Sequence, residues 1–184
     1  MLAYVFWHVP RAGVAARDYE GLHHAFHEVL RQASVPGFRG LRVYQLESIP
    51  WLNASGPGYE DWHLLEDSAA LDRLNAAAVS SHRQQPHDRI AALAGEGTAG
   101  LYGLRLGSLN SPSHAYWLSK PEGMSYAAFE KSLAPAIDAG CCLWGRRMTL
   151  GPTPEFCLHA PAERQVPQAD HAMRLTAILN HGDA

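Results

Sequence analysis

The chain has 184 residues, 47% of them apolar and 18% charged, enough to bury a sizeable core as one domain or two small ones. A formal charge of -3 leaves no basic footprint for nucleic acid, and no polybasic run offers itself to a membrane surface. No apolar run approaches the ~20 residues of a membrane span, and the opening MLAYVFWHVPR lacks the basic start and long apolar core of a signal peptide. Three cysteines, Cys141, Cys142 and Cys157, are an odd number with two adjacent. They read as reduced, buried thiols of a cytoplasmic protein. Histidine, at eleven, is the one unusual count.

Taken in order, Leu2 to Val9 is rich in β-branched and aromatic residues and ends at Pro10, which predicts a strand. Asp18 is expected to cap a helix whose apolar face is Tyr19, Leu22, Phe26, Val29, Leu30 and Ala33. Val35-Pro36-Gly37 stops it. Phe38 to Ser48 and Gly58 to Glu66 read as two strands of an antiparallel hairpin with a long loop. Asp67 or Ser68 caps a second helix carrying Ala70, Leu71, Leu74, Ala77 and Ala78. Pro86 suits the first turn of a further helical segment, His87 to Ala94. Ala99 to Leu106 completes a β-α-β-β-α-β order, the ferredoxin-like one.

A polar linker, Ser108 to Ser113, then leads into what looks like a second copy. Ala115 to Phe129 repeats the plan of Ala3 to Leu22: Ala-Tyr, a short apolar run, Pro, Gly, and a helix with Tyr in its first turn. Pro135 is expected to kink or shorten that helix. Cys141 to Leu150 and Glu155 to His159 form a hairpin around Gly151-Pro152-Thr153, with Cys157 roughly opposite Arg146. Ala160 to His171 lacks the apolar content of a long helix, and Met173 to Leu179 is read as a last strand, with helix as the alternative.

The expected fold is therefore α+β, with a first half at 1-108 and a reduced second half at 114-184. Each ferredoxin-like sheet has one face covered by its own helices and needs a partner for the other. Two such βαββαβ-type halves in one chain, packed sheet to sheet, resemble the dimeric α/β-barrel superfamily, and specifically a tandem-repeat member of an uncharacterised branch. The best local likeness is Tyr59 to Leu71, YEDWHLLEDSAAL, where a Trp-bearing strand runs into a capped helix. The superfamily includes small oxygenases, haem-degrading and haem-dependent enzymes and lactone isomerases, so the fold carries little functional weight.

Four groups of residues could carry chemistry. His23 and His27 are four apart and share a helix face, as zinc ligands can. The residue after His23 is His24, not the glutamate of HExxH, and a closed site needs further ligands that the sequence does not place. The expectation is a solvated face, with His24 and His27 outward, and no metal. The second group is on the sheet. Arg42 and Tyr44 share a parity, as do Asp61 and His63, and Arg105 lies on the fourth strand. If these parities point between the sheets, one cleft holds all five. His63 would be the base, oriented by Asp61; Arg42, Tyr44 and Arg105 would bind an anionic or phenolic substrate. The opposite parity, with Trp62 and Leu64 inward, stays open.

Third, haem-binding relatives carry a histidine on a helix comparable to that of His82, but the spacing from Trp62 differs, and no cofactor is expected. Fourth, Cys141-Cys142 has no evident neighbour to lower a thiol pKa. No phosphate loop or Ser-His-Asp pattern appears. The functional expectation is a small-molecule cleft, as in a cofactor-independent oxygenase or isomerase acting on an anionic or aromatic compound. The alternative is a non-catalytic protein that binds a ligand or assembles with itself, as a homodimer for instance.

Overall fold

The computed structural model describes residues 1-148, 151-166 and 169-182. Strand β1 (Leu2–Pro10) sets the layering through its alternation. Ala3, Val5, Trp7 and Val9 enter one buried cluster, while Tyr4 packs against another on the opposite side. Helix α1 (Ala16–Arg31) lies over that opposite side, and β2 (Phe38–Leu46) and β3 (Gly58–Leu65) follow as antiparallel neighbours. Asp67 caps α2 (Ser68–Ala78) by accepting the Ala70 N–H at 2.8 Å. A 3-10 turn at Ser81–Arg83 leads into α3 (Gln84–Leu93) and the long β4 (Ala94–Leu106).

The remaining elements are β5 (His114–Leu118), α4 (Tyr126–Ser132), α5 (Ala134–Asp138), β6 (Cys142–Arg146), β7 (Phe156–Ala160), β8 (Ala169–Arg174) and β9 (Thr176–Gly182). Ser125 caps α4 by accepting the Ala128 N–H. Pro135 falls in the first turn of α5, so the expected single helix is two short ones. The last expected strand is present but broken at Leu175. Asp18 is not the cap of α1. The helix begins at Ala16, and Asp18 sits in its first turn, where a negative charge suits the exposed N–H groups. The register also differs from expectation: Cys157 pairs with Trp144 rather than Arg146.

Among the described residues nine strands form one antiparallel sheet of an α+β fold, in the order β8-β5-β7-β6-β4-β1-β3-β2-β9. Only Leu175 separates β8, which pairs with β5 at one end, from β9, which pairs with β2 at the other. The two edges of the sheet are therefore one run of chain, and the sheet closes on itself. Gly40 faces Gly182 at the closing seam, where a Cβ on either would press into the opposite backbone. Gly182 also has a φ of 105°, a conformation that favours glycine.

The inside of the closed sheet is aromatic. Trp7, Trp62, Trp117 and Trp144 are buried there with Tyr44, Tyr102, Cys142 and Cys157, and Trp51 packs against them. At its centre Glu60 accepts indole N–H bonds from Trp7 and Trp62, each at 2.6 Å. No helix of the described residues is long and apolar enough to cross a membrane.

Candidate functional site

The site lies in the other layer, between the outer face of β1 and β3 and the helices. Antiparallel pairing of β1 with β3 sets Phe6 opposite Asp61 and His8 opposite Tyr59. Side chains two apart share a face, so Tyr4, Phe6 and His8 stand beside Tyr59, Asp61 and His63. Above them α1 buries Tyr19, His23, Phe26, His27 and Leu30, a stripe at helical spacing.

Three side chains converge on the Asp61 carboxylate. His8 Nε2 is 3.3 Å from Oδ1, His23 Nε2 is 2.9 Å from Oδ2, and His27 Nε2 is 3.5 Å from Oδ2. The His27 and His23 Nε2 atoms are 3.4 Å apart. His8 Nδ1 meets the Tyr19 hydroxyl at 2.7 Å, while the Nδ1 atoms of His23, His27 and His63 have no protein partner. His8, His23, His27, Asp61 and His63 are all buried. One ligand atom each from His8, His23 and Asp61 lie within 4.8 Å of one another.

These residues line a pocket of about 560 Å³. Phe6, Phe26, Leu30, Leu71, Leu74 and Ile90 make most of the rest of its wall apolar. The electrostatics follow from burial. Desolvation works to raise the Asp61 pKa, but the charges of His23 and His8 and hydrogen bonds from His23 and His27 hold it well below the ordinary carboxylate range. Burial is the main force lowering His27 to about 3, against its bond to Asp61. Burial likewise lowers His63, against the attraction of Asp61 and a bond to the Tyr4 main chain. Around neutral pH the pocket therefore presents an anionic carboxylate and neutral His27 and His63 rings.

The five residues expected in one cleft are divided among three places. Asp61 and His63 share this pocket and face the helices. Arg42 and Tyr44 face the inside of the closed sheet, because their positions in β2 pair with Trp62 and Glu60, the inward parity of β3. Arg42 Nη1 donates to the Asn110 carbonyl there, so its charge is engaged by the loop between β4 and β5. Arg105 is exposed and pairs with Glu130 of α4. The inward parity is the one with Trp62 and Leu64, and the grouping of Arg42, Tyr44 and Arg105 with His63 is corrected accordingly. Asp61 orients His8, His23 and His27 rather than His63.

The helix histidines also differ from expectation. His24 is exposed, but His27 is buried, and the groups that gather with His23, which the sequence did not place there, are His8 and Asp61. The signal for His8 was its parity with Tyr4 and Phe6. For His23 and His27 it was the i, i+4, i+8 run from Tyr19. His82 is exposed in the 3-10 turn and is not among the residues lining the pocket, so the one sequence-based haem ligand does not face this site. Burial raises the pKa of Cys141 and pushes Cys142 up to about 12, which keeps both as thiols.

No protein family and no curated protein matches the chain. Among solved structures, a protein provisionally described as a chlorite dismutase, TA0507, superposes with a TM-score of 0.48 at 12% identity, covering 96% of this chain and 95% of that one. An arginine-to-alanine variant of chlorite dismutase from Candidatus Nitrospira defluvii gives 0.43 at 9% identity, covering 96% and 90%. At these scores the likeness assigns no activity to this chain.

Proposed function

We propose that the protein is an enzyme that binds a small, largely apolar or aromatic compound between its helices and sheet and moves a proton on it, as in an isomerase or a cofactor-independent oxygenase. The observation that carries this reading is the placement of buried Asp61 and four imidazoles in the wall of one otherwise apolar pocket. Such a pocket excludes water around a substrate and keeps polar groups few and fixed. Phe6, Phe26, Leu30, Leu74 and Ile90 hold the apolar body.

His63 is the base. The Tyr4 main chain engages its ring, burial keeps it neutral, and its Nδ1 has no protein partner. The Asp61 cluster meets the polar end of the substrate. Asp61 and His63 keep their place in this reading; Arg42, Tyr44 and Arg105 have no role in binding the substrate. The strand orders β4-β1-β3-β2 and β8-β5-β7-β6 support treating 1-108 and 114-184 as two ferredoxin-like halves of a dimeric α/β-barrel-like unit, the active pocket belonging to the first.

The test is solvent-deuterium exchange into a panel of small aryl carbonyl compounds and phenols, followed by NMR. At least one compound should exchange faster with the protein present, and His63→Gln should slow that exchange about 100-fold with little change in melting temperature. A folded wild type that neither binds nor exchanges any of the panel would contradict the catalytic reading.

A further inference from the structure

The Asp61 cluster has a problem of hydrogen bonding that a proton-transfer site alone leaves unsolved. Asp61 is buried, and among the described residues its ion-pair partners are imidazoles only. His23 and His27 both direct Nε2 at the same oxygen. If each carries its proton there, two N–H dipoles lie side by side 3.4 Å apart. If one lacks it, it can accept weakly from the other at 3.4 Å, but its lone pair still faces a carboxylate oxygen. Either arrangement is costly in a medium of low dielectric.

We propose that His8, His23 and Asp61 are ligands of a divalent first-row transition-metal ion. A cation at this point offsets the buried negative charge and lets His23 present a lone pair instead of a competing proton. The ligand atoms of the three residues already lie within 4.8 Å of one another, a spread that one ion with bonds of about 2.0–2.2 Å can span after small side-chain adjustments. Of the two histidines, His8 has the outer contact that metal-bound imidazoles ordinarily have, while His23 Nδ1 has no protein partner. The Tyr19 hydroxyl takes the second nitrogen of His8, which fixes its ring and tautomer, and His27 Nε2 stands 3.5 Å from Asp61 Oδ2 at the side. The donor set, two imidazoles and one carboxylate, suits zinc, iron(II), cobalt(II), nickel(II) or manganese(II). It does not suit calcium or magnesium, which take mostly oxygen, or copper(I), which favours sulfur.

The pocket supplies the open side such an ion would need to reach a substrate. The ion would polarise an oxygen at the polar end of the bound compound while His63, two residues from Asp61, faces the same space. The chemical part of this inference rests on the catalytic reading of the pocket; the binding part rests on ligand geometry alone.

The experiment is a titration of untagged, chelator-stripped protein with cobalt(II), read by visible absorption and by NMR. Wild type should take up one equivalent, show hyperfine-shifted imidazole N–H resonances, and release the cobalt to zinc. Asp61→Asn and His8→Gln should weaken binding at least 100-fold, and Tyr19→Phe about tenfold. His24→Gln, one residue from His23 but exposed, should bind as wild type does. If a ligand variant fails to fold, the shifted imidazole resonances of the wild type decide the matter without it. Absence of cobalt binding, absence of those resonances, or unchanged affinity in a folded Asp61→Asn protein would overturn the proposal. Metal-free protein that still exchanges deuterium but takes up no cobalt would leave the catalytic reading standing and remove the metal. Cobalt bound at these residues with no exchange on any compound would do the reverse.

Discussion

At the scale of single residues, His159 and Glu60 show how burial inside the closed sheet shapes stability against pH. Both ring nitrogens of His159 lack a partner, and burial first, then the nearby Arg42 charge, lowers its pKa to about 3. The unfolded chain binds a proton near pH 6.5 and the folded one does not, so stability is full above pH 6.5 and declines as the pH falls toward 3. Acidification from pH 7 to 5 should cost about 2 kcal/mol through this residue. Chemical denaturation of His159→Phe should show that much less acid loss than wild type; an identical pH slope would refute the assignment. Glu60 acts in the opposite sense. Burial raises it to about 7, against the two indole hydrogen bonds, so the folded state holds its proton from pH 4.5 up to 7 and stability declines as the pH rises through that window. Glu60→Gln would set an amide N–H₂ against an indole N–H. We expect a loss of about 1–3 kcal/mol at pH 6, read by thermal or denaturant melts. An unchanged melt would mean that the two indoles do not depend on the carboxylate.

At the scale of elements, most boundaries could be read from the sequence because hydrophobic period and capping residues agree. Asp67, one of two expected candidates, caps α2, and Pro135 divides its helix. What the sequence left out was the rotation of α1. An apolar-face reading counts Leu22 and Val29 and passes over His23 and His27, yet the helix turns so that both histidines meet Asp61. Histidine is intermediate in its burial preference, so the apolar residues Tyr19, Phe26 and Leu30 set the stripe and Asp61 on the facing strand accounts for the histidines within it. The parity of β3 was open for a related reason: Asp61 and His63 on one face and Glu60 and Trp62 on the other are both mixed, and all eight residues of β3 are buried. A strand covered on both sides has no polar face to mark it. The seam of β2 and β9 carries its own prediction. Gly40→Ala should force the strands apart at Gly182 and cost about 1–3 kcal/mol. Faster amide exchange confined to β9 would place the damage at the seam, whereas unaltered exchange there would show that the closing contact is looser than the close approach implies.

At the scale of the whole molecule, the sheet closes within one chain, and its aromatic core needs no second copy to cover it. That division of labour explains why the site is not where the sequence places it. The space between strands is filled by tryptophans, so the room for a ligand lies outside, under α1, α2 and α3. The sequence made the α+β class and the last strand legible through repeated strand and helix patterns. It could not show the site, because the residues that form it come from β1, α1 and β3, and no short motif spans them. It put Asp61 and His63 on one face, as they are, but directed that face between the sheets rather than toward the helices. The most direct check of the central claim compares deuterium exchange on one responsive compound by His63→Gln and Arg105→Ala. Loss of about 100-fold in the first and a change within about twofold in the second is the predicted result. Equal loss in both would contradict the placement of the catalytic centre beneath α1.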